Sequence, residues 1–422
     1  MLQNPFYLFF TACLGLFFWA GYRRIFAEVP YRHSLWSFLG EECAPGQRRA
    51  IVRALLTGLP GDSGAMAWIL TMAALCLGGA GALFWYLVFS LLWLHPLGAL
   101  AGLWRYYQPG CGGRVELSAL LEGMLCRKRA RARPGLGRLL RWLQTLALCG
   151  MLPLLFRILA SPSAPARGAG LLPWLVVLLA LWLLCRLVGE RGETVLSLLF
   201  LLLLAAALLG NLPNLIPAVK LVLLDAFDRS RFLFSLSGAG LAAALQAGGA
   251  AGCGGALLRT LSAREEGPSF AHPAQAAFYE ELRGLLQLTM QLALGLLFLC
   301  ARLVPEDNRW PQTCLWAFLC LFGLLWLGRV VRALARPEGR RCGLLCLGLV
   351  GAAAVWDIWK GTALLPGLSG GAAGLASLAL AGLLLFDSNW YFLLLEHYRD
   401  VHIWHVTPHP DLMQTEMERK NM

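Results

Sequence analysis

The chain has 422 residues, of which 58% are hydrophobic and only 14% charged. A soluble domain carries about 25% charged residues and about 45–50% apolar ones. So few charges cannot cover that much apolar surface in water, so the composition excludes a cytosolic enzyme, a secreted scaffold and a disordered chain. It describes an integral membrane protein.

In chain order, eleven apolar runs read as membrane-spanning helices. The first six are Phe6 to Ala20, Ile51 to Leu77, Gly81 to Leu103, Leu139 to Leu159, Leu171 to Val188 and Thr194 to Gly210. The other five are Phe232 to Leu258, Leu285 to Leu303, Cys314 to Leu334, Cys342 to Trp356 and Ala363 to Phe386. Most match the ~17–25 residues that cross a bilayer as helix. Their continuity, as in Leu196 to Leu209, argues against alternating barrel strands. The first run lacks a basic leader and an A-x-A cleavage pattern, so it reads as retained.

The net charge of +12 is unevenly spread. Most of the 36 Lys and Arg residues fall in the odd-numbered connections and the tail, with clusters at Arg23 to Arg53, Arg127 to Arg133 and Arg336 to Arg341. By the positive-inside rule these face the cytoplasm, which puts the N-terminus outside and the C-terminus inside. The Arg127 to Arg133 run reads as a topological anchor near lipid head groups, with no nucleic-acid partner. The 13 cysteines are an odd number without a CxxC pair, and read as small helix-contact residues. His397, His402, His405 and His409 lack the spacing of a metal site.

Two spans differ from the Leu-rich rest. The second contains Leu59-Pro60-Gly61-Asp62-Ser63-Gly64, and the seventh holds Gly238, Gly240, Gly248, Gly249, Gly252, Gly254 and Gly255. Proline removes a backbone donor and glycine costs about 1 kcal/mol against alanine in a helix. Paired interruptions at matching places in two halves mark the substrate site of inverted-repeat transporters. The breaks open two sets of five spans. This predicts an N-terminal helix and basic loop over 1–50, a first repeat over 51–210, a second over 211–386, and a cytoplasmic tail over 387–422. A close small-residue helix contact is the other reading of the glycines.

Several motifs extend that pattern. Gly78-Gly79-Ala80-Gly81-Ala82-Leu83-Phe84-Trp85 is followed by Gly112-Gly113, Ile216-Pro217-Ala218-Val219 and Asp225-Ala226-Phe227. Then come Ala251-Gly252-Cys253-Gly254, His272-Pro273 with Gln275, and Val355-Trp356-Asp357-Ile358. In that order they resemble the sodium:alanine/glycine symporter family, from about Ala50 to Leu385. The resemblance implies an all-α membrane protein of eleven helices, with a LeuT-type 5+5 inverted repeat behind an extra N-terminal helix. It also implies cation-coupled transport of small neutral amino acids across the plasma membrane (the bacterial inner membrane), with sodium as coupling ion and no other cofactor.

The chain departs from the family at the breaks. The polar Asn of the family's broken second span is replaced by Ala67, and its Ser, Asn and Glu of the seventh by Gly248, Gly249 and Ala250. Sodium would then rest on backbone carbonyls, and Asp62 becomes the ionisable group for proton coupling. Asp62 and Ser63 read equally as a cap on the helix that follows. The substrate site is expected at Gly61, Asp62, Ser63, Gly64, Gly252 and Gly254, where glycine lets a ligand approach backbone and free amides hold a carboxylate. No P-loop, HExxH or GxSxG motif marks an enzyme. A transporter fold that has lost cation coupling and serves as a sensor or assembly partner is the alternative.

Overall fold

The computed structural model describes residues 45–60, 63–107, 171–227, 240–262, 273–301, 310–334 and 340–359, with scattered single positions elsewhere. Those stretches are helical apart from turns at 59–60, 79–81 and 211. The helices are α1 (Pro45–Gly58), α2 (Ser63–Gly78), α3 (Ala82–Tyr107), α4 (Leu171–Gly210), α5 (Leu212–Phe227), α6 (Gly240–Ser262), α7 (Pro273–Ala301), α8 (Trp310–Leu334) and α9 (Arg340–Trp359). Among the described residues three stretches, Ala82–Ala99, Gly192–Gly210 and Gln275–Ala301, are long and apolar enough to cross a membrane. Among the described residues the architecture is therefore all-helical, with apolar helices of the kind a membrane protein has. The expected spans Phe6 to Ala20, Leu139 to Leu159 and Ala363 to Phe386, and the tail over 387–422, lie largely or wholly outside the described residues.

The centre is built from α2, α3, α6 and α7, with α6 packed most extensively on α3 and α2, and α7 on α3. Small residues set these distances. A Cβ at Gly248 would fall 2.2 Å from the Ala82 carbonyl oxygen, and one at Gly252 would fall 2.9 Å from that of Tyr86. At Gly102 it would fall 2.2 Å from Ala277 Cα. Backbones that close gain dispersion contacts along their whole crossing, which is what associates helices where lipid and side chains are equally apolar. On the flank, α8 meets α2 through Trp68 and Trp316, whose ring centroids are 4.7 Å apart, and meets α4 through Phe200 and Phe322. The outer face of α4 and α5 exposes Leu198, Leu202, Leu209, Ile216 and Leu223, as a lipid-facing surface does.

One sequence expectation holds and two change. The second span is two helices, α1 and α2, separated at Leu59 and Pro60. Its first half is not an apolar spanning rod: Arg48, Arg49 and Arg53 are carried on α1, whose Ile51 and Leu55 pack on Phe270, Ala276 and Tyr279. The fifth and sixth spans are one helix of 40 residues, α4, without the expected reversal after Val188. The connecting Gly189-Glu190-Arg191-Gly192-Glu193 holds two glycines but no proline, and two isolated glycines cost a helix about 1 kcal/mol each, too little to break it. Finally, the seventh span shows no break among its described residues: α6 runs unbroken through Gly248, Gly249, Gly252, Gly254 and Gly255. Its glycines serve the contact with α3.

Candidate functional site

Local turn chemistry first fixes the register of α2 against α3. Gly79 has φ 73°, a left-handed conformation that glycine adopts without Cβ strain, and its N–H donates to the Leu75 carbonyl, ending α2. The Ala80 N–H then donates to Asp225 Oδ2 at 3.2 Å, so a carboxylate of α5 sits at the start of α3. An acid at a helix N-terminus meets free amides and the positive end of the dipole. Trp85 Nε1–H donates to the Ala226 carbonyl at 3.1 Å, and Phe227 lies edge-on to Phe84 and Trp85. A Cβ on Gly81 would fall 2.5 Å from the Asp225 carbonyl carbon. The glycine motif and the Asp225-Ala226-Phe227 motif thus form one clamp.

Beyond the clamp, the interior of the bundle is polar along one stripe of α7. Gln275, Glu280, Arg283, Gln287 and Gln291 are all buried, and the last four follow the three- and four-residue steps that share a helix face. Gln287 Nε2–H donates to the Gly58 carbonyl at 3.1 Å, taking up a backbone acceptor where α1 ends. One turn on, the Tyr86 hydroxyl of α3 donates to Gln291 Oε1. A Cβ at Gly255 would fall 3.1 Å from that hydroxyl oxygen and 3.5 Å from the Ala67 Cβ. Elements α2, α3, α6 and α7 therefore converge on Tyr86.

Two turns toward the start of α7 the stripe becomes ionic. Arg105 Nε lies 2.6 Å from Glu280 Oε1, and Arg283 Nη1 lies 3.6 Å from Glu280 Oε2. The Arg105 guanidinium also stacks 5.3 Å above the Tyr279 ring. Between this group and Gln287 lies a small cavity, walled by Trp93, Leu94, Gly98, Arg283, Gly284 and Gln287. Such an arrangement holds ions or polar solutes by hydrogen bonds and charge. Among the described residues no three His, Cys, Asp or Glu side chains gather as a metal-binding group.

The sequence-derived site maps onto this frame in part. Gly61 and Asp62 lie outside the described residues. Ser63 and Gly64 open α2, immediately after the interruption. Gly252 and Gly254 are buried inside the unbroken α6, and Gly252 spends its bare Cα on the α3 backbone near Tyr86, Phe89 and Ser90. The structure thus brings Ala67 and the α6 glycine face together around Tyr86 but supplies no unwound α6 backbone.

Sequence reasoning missed Arg105, Glu280, Arg283, Gln287 and Gln291. It began the eighth span at Leu285 and closed the third at Leu103, which left both arginines and Glu280 in loops. The available signal was the spacing of polar residues from Glu280 to Gln291, continued into an apolar run. No protein-family model matches the chain, and no curated protein matches its sequence.

Proposed function

We propose that this protein carries a small solute across the membrane, and that the solute binds where the α1–α2 interruption faces the buried stripe of α7. The observation that carries this reading is the Gln287–Gly58 hydrogen bond: a helix end is held inside the protein by a buried amide. Interrupted backbone at membrane depth persists only where protein buries it or where it lines a cavity, and transporters use such ends to bind substrate. The central packing supports an inverted repeat as well. The pair α2–α3 opens the first set of five spans, the pair α6–α7 opens the second, and the two pairs pack on each other.

By the family resemblance the solute is a small neutral amino acid such as alanine or glycine, moved with a cation; the eleven-helix, 5+5 architecture that the resemblance implies requires α4 to count as two spans. Sodium on backbone carbonyls and a proton on Asp62 are the two coupling schemes. The plasma membrane is the setting, with the basic clusters of the early loops in the cytoplasm, the N-terminus outside and the C-terminus inside. Unbroken α6 favours the second reading, a transporter fold that senses or assembles instead of transporting, because it leaves one interruption where a paired site needs two.

Thermal unfolding of the purified full chain against an amino acid panel, with and without sodium, separates these readings. Any ligand that binds only the folded state raises the unfolding midpoint by mass action. A rise with alanine or glycine, followed by gradient-driven uptake in proteoliposomes, supports transport. Binding without uptake under sodium or proton gradients supports the sensor, and no binding by any amino acid removes the amino acid assignment.

A further inference from the structure

Helix α1 carries two faces of opposite character. Ile51 and Leu55 are buried against Phe270, Ala276 and Tyr279. Arg48, Arg49, Val52 and Arg53, related by three- and four-residue steps, form a second face that is exposed, with Val52 43% exposed among the arginines. No Asp or Glu occurs in α1, and Glu193 is the acid that α4 brings next to Thr194, so the face is basic. Arg49 and Arg53 stand four residues apart, a spacing at which like charges on a helix repel. An anion between them turns that repulsion into attraction.

Where this face lies decides which anion fits it. Arg53 Nε–H donates to Thr194 Oγ1 at 3.1 Å, near the start of the apolar stretch Gly192–Gly210 of α4. Ile51 and Leu55 pack on Ala276 and Tyr279, near the start of the apolar stretch Gln275–Ala301 of α7. Two apolar stretches thus begin beside the arginines, and the end of such a stretch is where hydrocarbon gives way to head groups. A guanidinium at that level lays its stem along apolar surface and keeps its charge at the interface. Its planar fork matches a phosphate with two parallel hydrogen bonds. Val52 adds apolar contact, which suits the glycerol and acyl part of a lipid and gives nothing to free phosphate.

We propose that the exposed face of α1 seats the head group of an acidic phospholipid, gripped by Arg49 and Arg53 with Arg48 adding positive charge. The site stands independently of what, if anything, the protein transports. Because α1 ends at Gly58, on one side of the interruption, a lipid bound to α1 also steadies that side.

The test is thermal unfolding of the purified full chain in neutral-detergent micelles containing phosphatidylglycerol, against the same micelles containing phosphatidylcholine. Phosphatidylglycerol should give a saturable rise in midpoint of a few degrees over phosphatidylcholine, smaller at high salt, and inorganic phosphate should give none. Arg49→Gln should weaken the lipid response about fivefold, and Arg49→Gln combined with Arg53→Gln should lose it. Arg129→Gln combined with Arg131→Gln, in another basic run, should keep it. If the wild-type chain responds equally to the two lipids, the proposal fails. If the rise survives in the Arg49 and Arg53 double variant, the lipid sits elsewhere and the proposal equally fails. A rise with inorganic phosphate equal to that with phosphatidylglycerol makes the site one for a free anion and overturns the lipid assignment. Should the double variant not fold, Arg49→Gln alone, at an exposed position, decides the point: an unchanged lipid response overturns the proposal.

Discussion

Asp225 shows how an acid that looks functional in a list of motifs acts on structure. It is 6% exposed and its carboxylate accepts the Ala80 N–H at the head of α3. Asp225→Ala leaves a buried donor unmet, so it should destabilise the protein by about 1–3 kcal/mol. Asp225→Asn keeps an acceptor oxygen and should lose less. Gly79→Ala, at φ 73°, should cost about 1–2 kcal/mol through the left-handed backbone alone. Unfolding midpoints of the three variants check this order. Both halves of the clamp stood out as motifs in the sequence, but chain order carries no distance, so their contact was not legible. Gln287 was invisible for another reason. In an apolar run a single glutamine has no distinguishing pattern until the helix boundary is known, and that boundary lay twelve residues earlier than hydropathy suggested.

At the level of elements, hydropathy located apolar helices well and located their ends and breaks poorly. Proline separated α1 from α2 as expected, since it lacks the donor that a continuous helix needs. Glycine in α6 did not act as a breaker, because tertiary contact with α3 outweighs its intrinsic cost. Gly248→Ala should therefore be among the most damaging single changes: its Cβ meets backbone that cannot yield, and α6 must back away from α3. Gly348→Ala on α9 has no atom within 4 Å of the new Cβ and should gain up to about 1 kcal/mol from helix propensity. Thermal melts of the pair separate a packing glycine from a merely tolerated one. The length of α4 has its own test. Spin labels at Leu172 and Leu208 should lie about 54 Å apart along a continuous helix at about 1.5 Å per residue. A short distance in pulsed dipolar spectra would restore the two antiparallel spans that the sequence suggested.

For the molecule as a whole, composition alone settled the solvent, and the chemistry of the interior required the fold. If protons drive transport, Asp62→Asn should abolish accumulation on a pH gradient while sparing substrate exchange in proteoliposomes. Accumulation by that variant would leave Asp62 as a helix cap and return coupling to sodium. The clamp described at Asp225 also bears on how the protein is made. Helices α2 and α3 leave the ribosome long before their clamp exists, because Ala80 and Asp225 are separated by 145 positions. At about 5–20 residues per second that wait is roughly 7–30 s. The end of α1 waits longer still, since Gln287 follows Gly58 by 229 positions. During biosynthesis the N-terminal hairpin is therefore an unfinished unit with open hydrogen-bonding groups, and insertion machinery or a chaperone must shelter it until the later helices arrive.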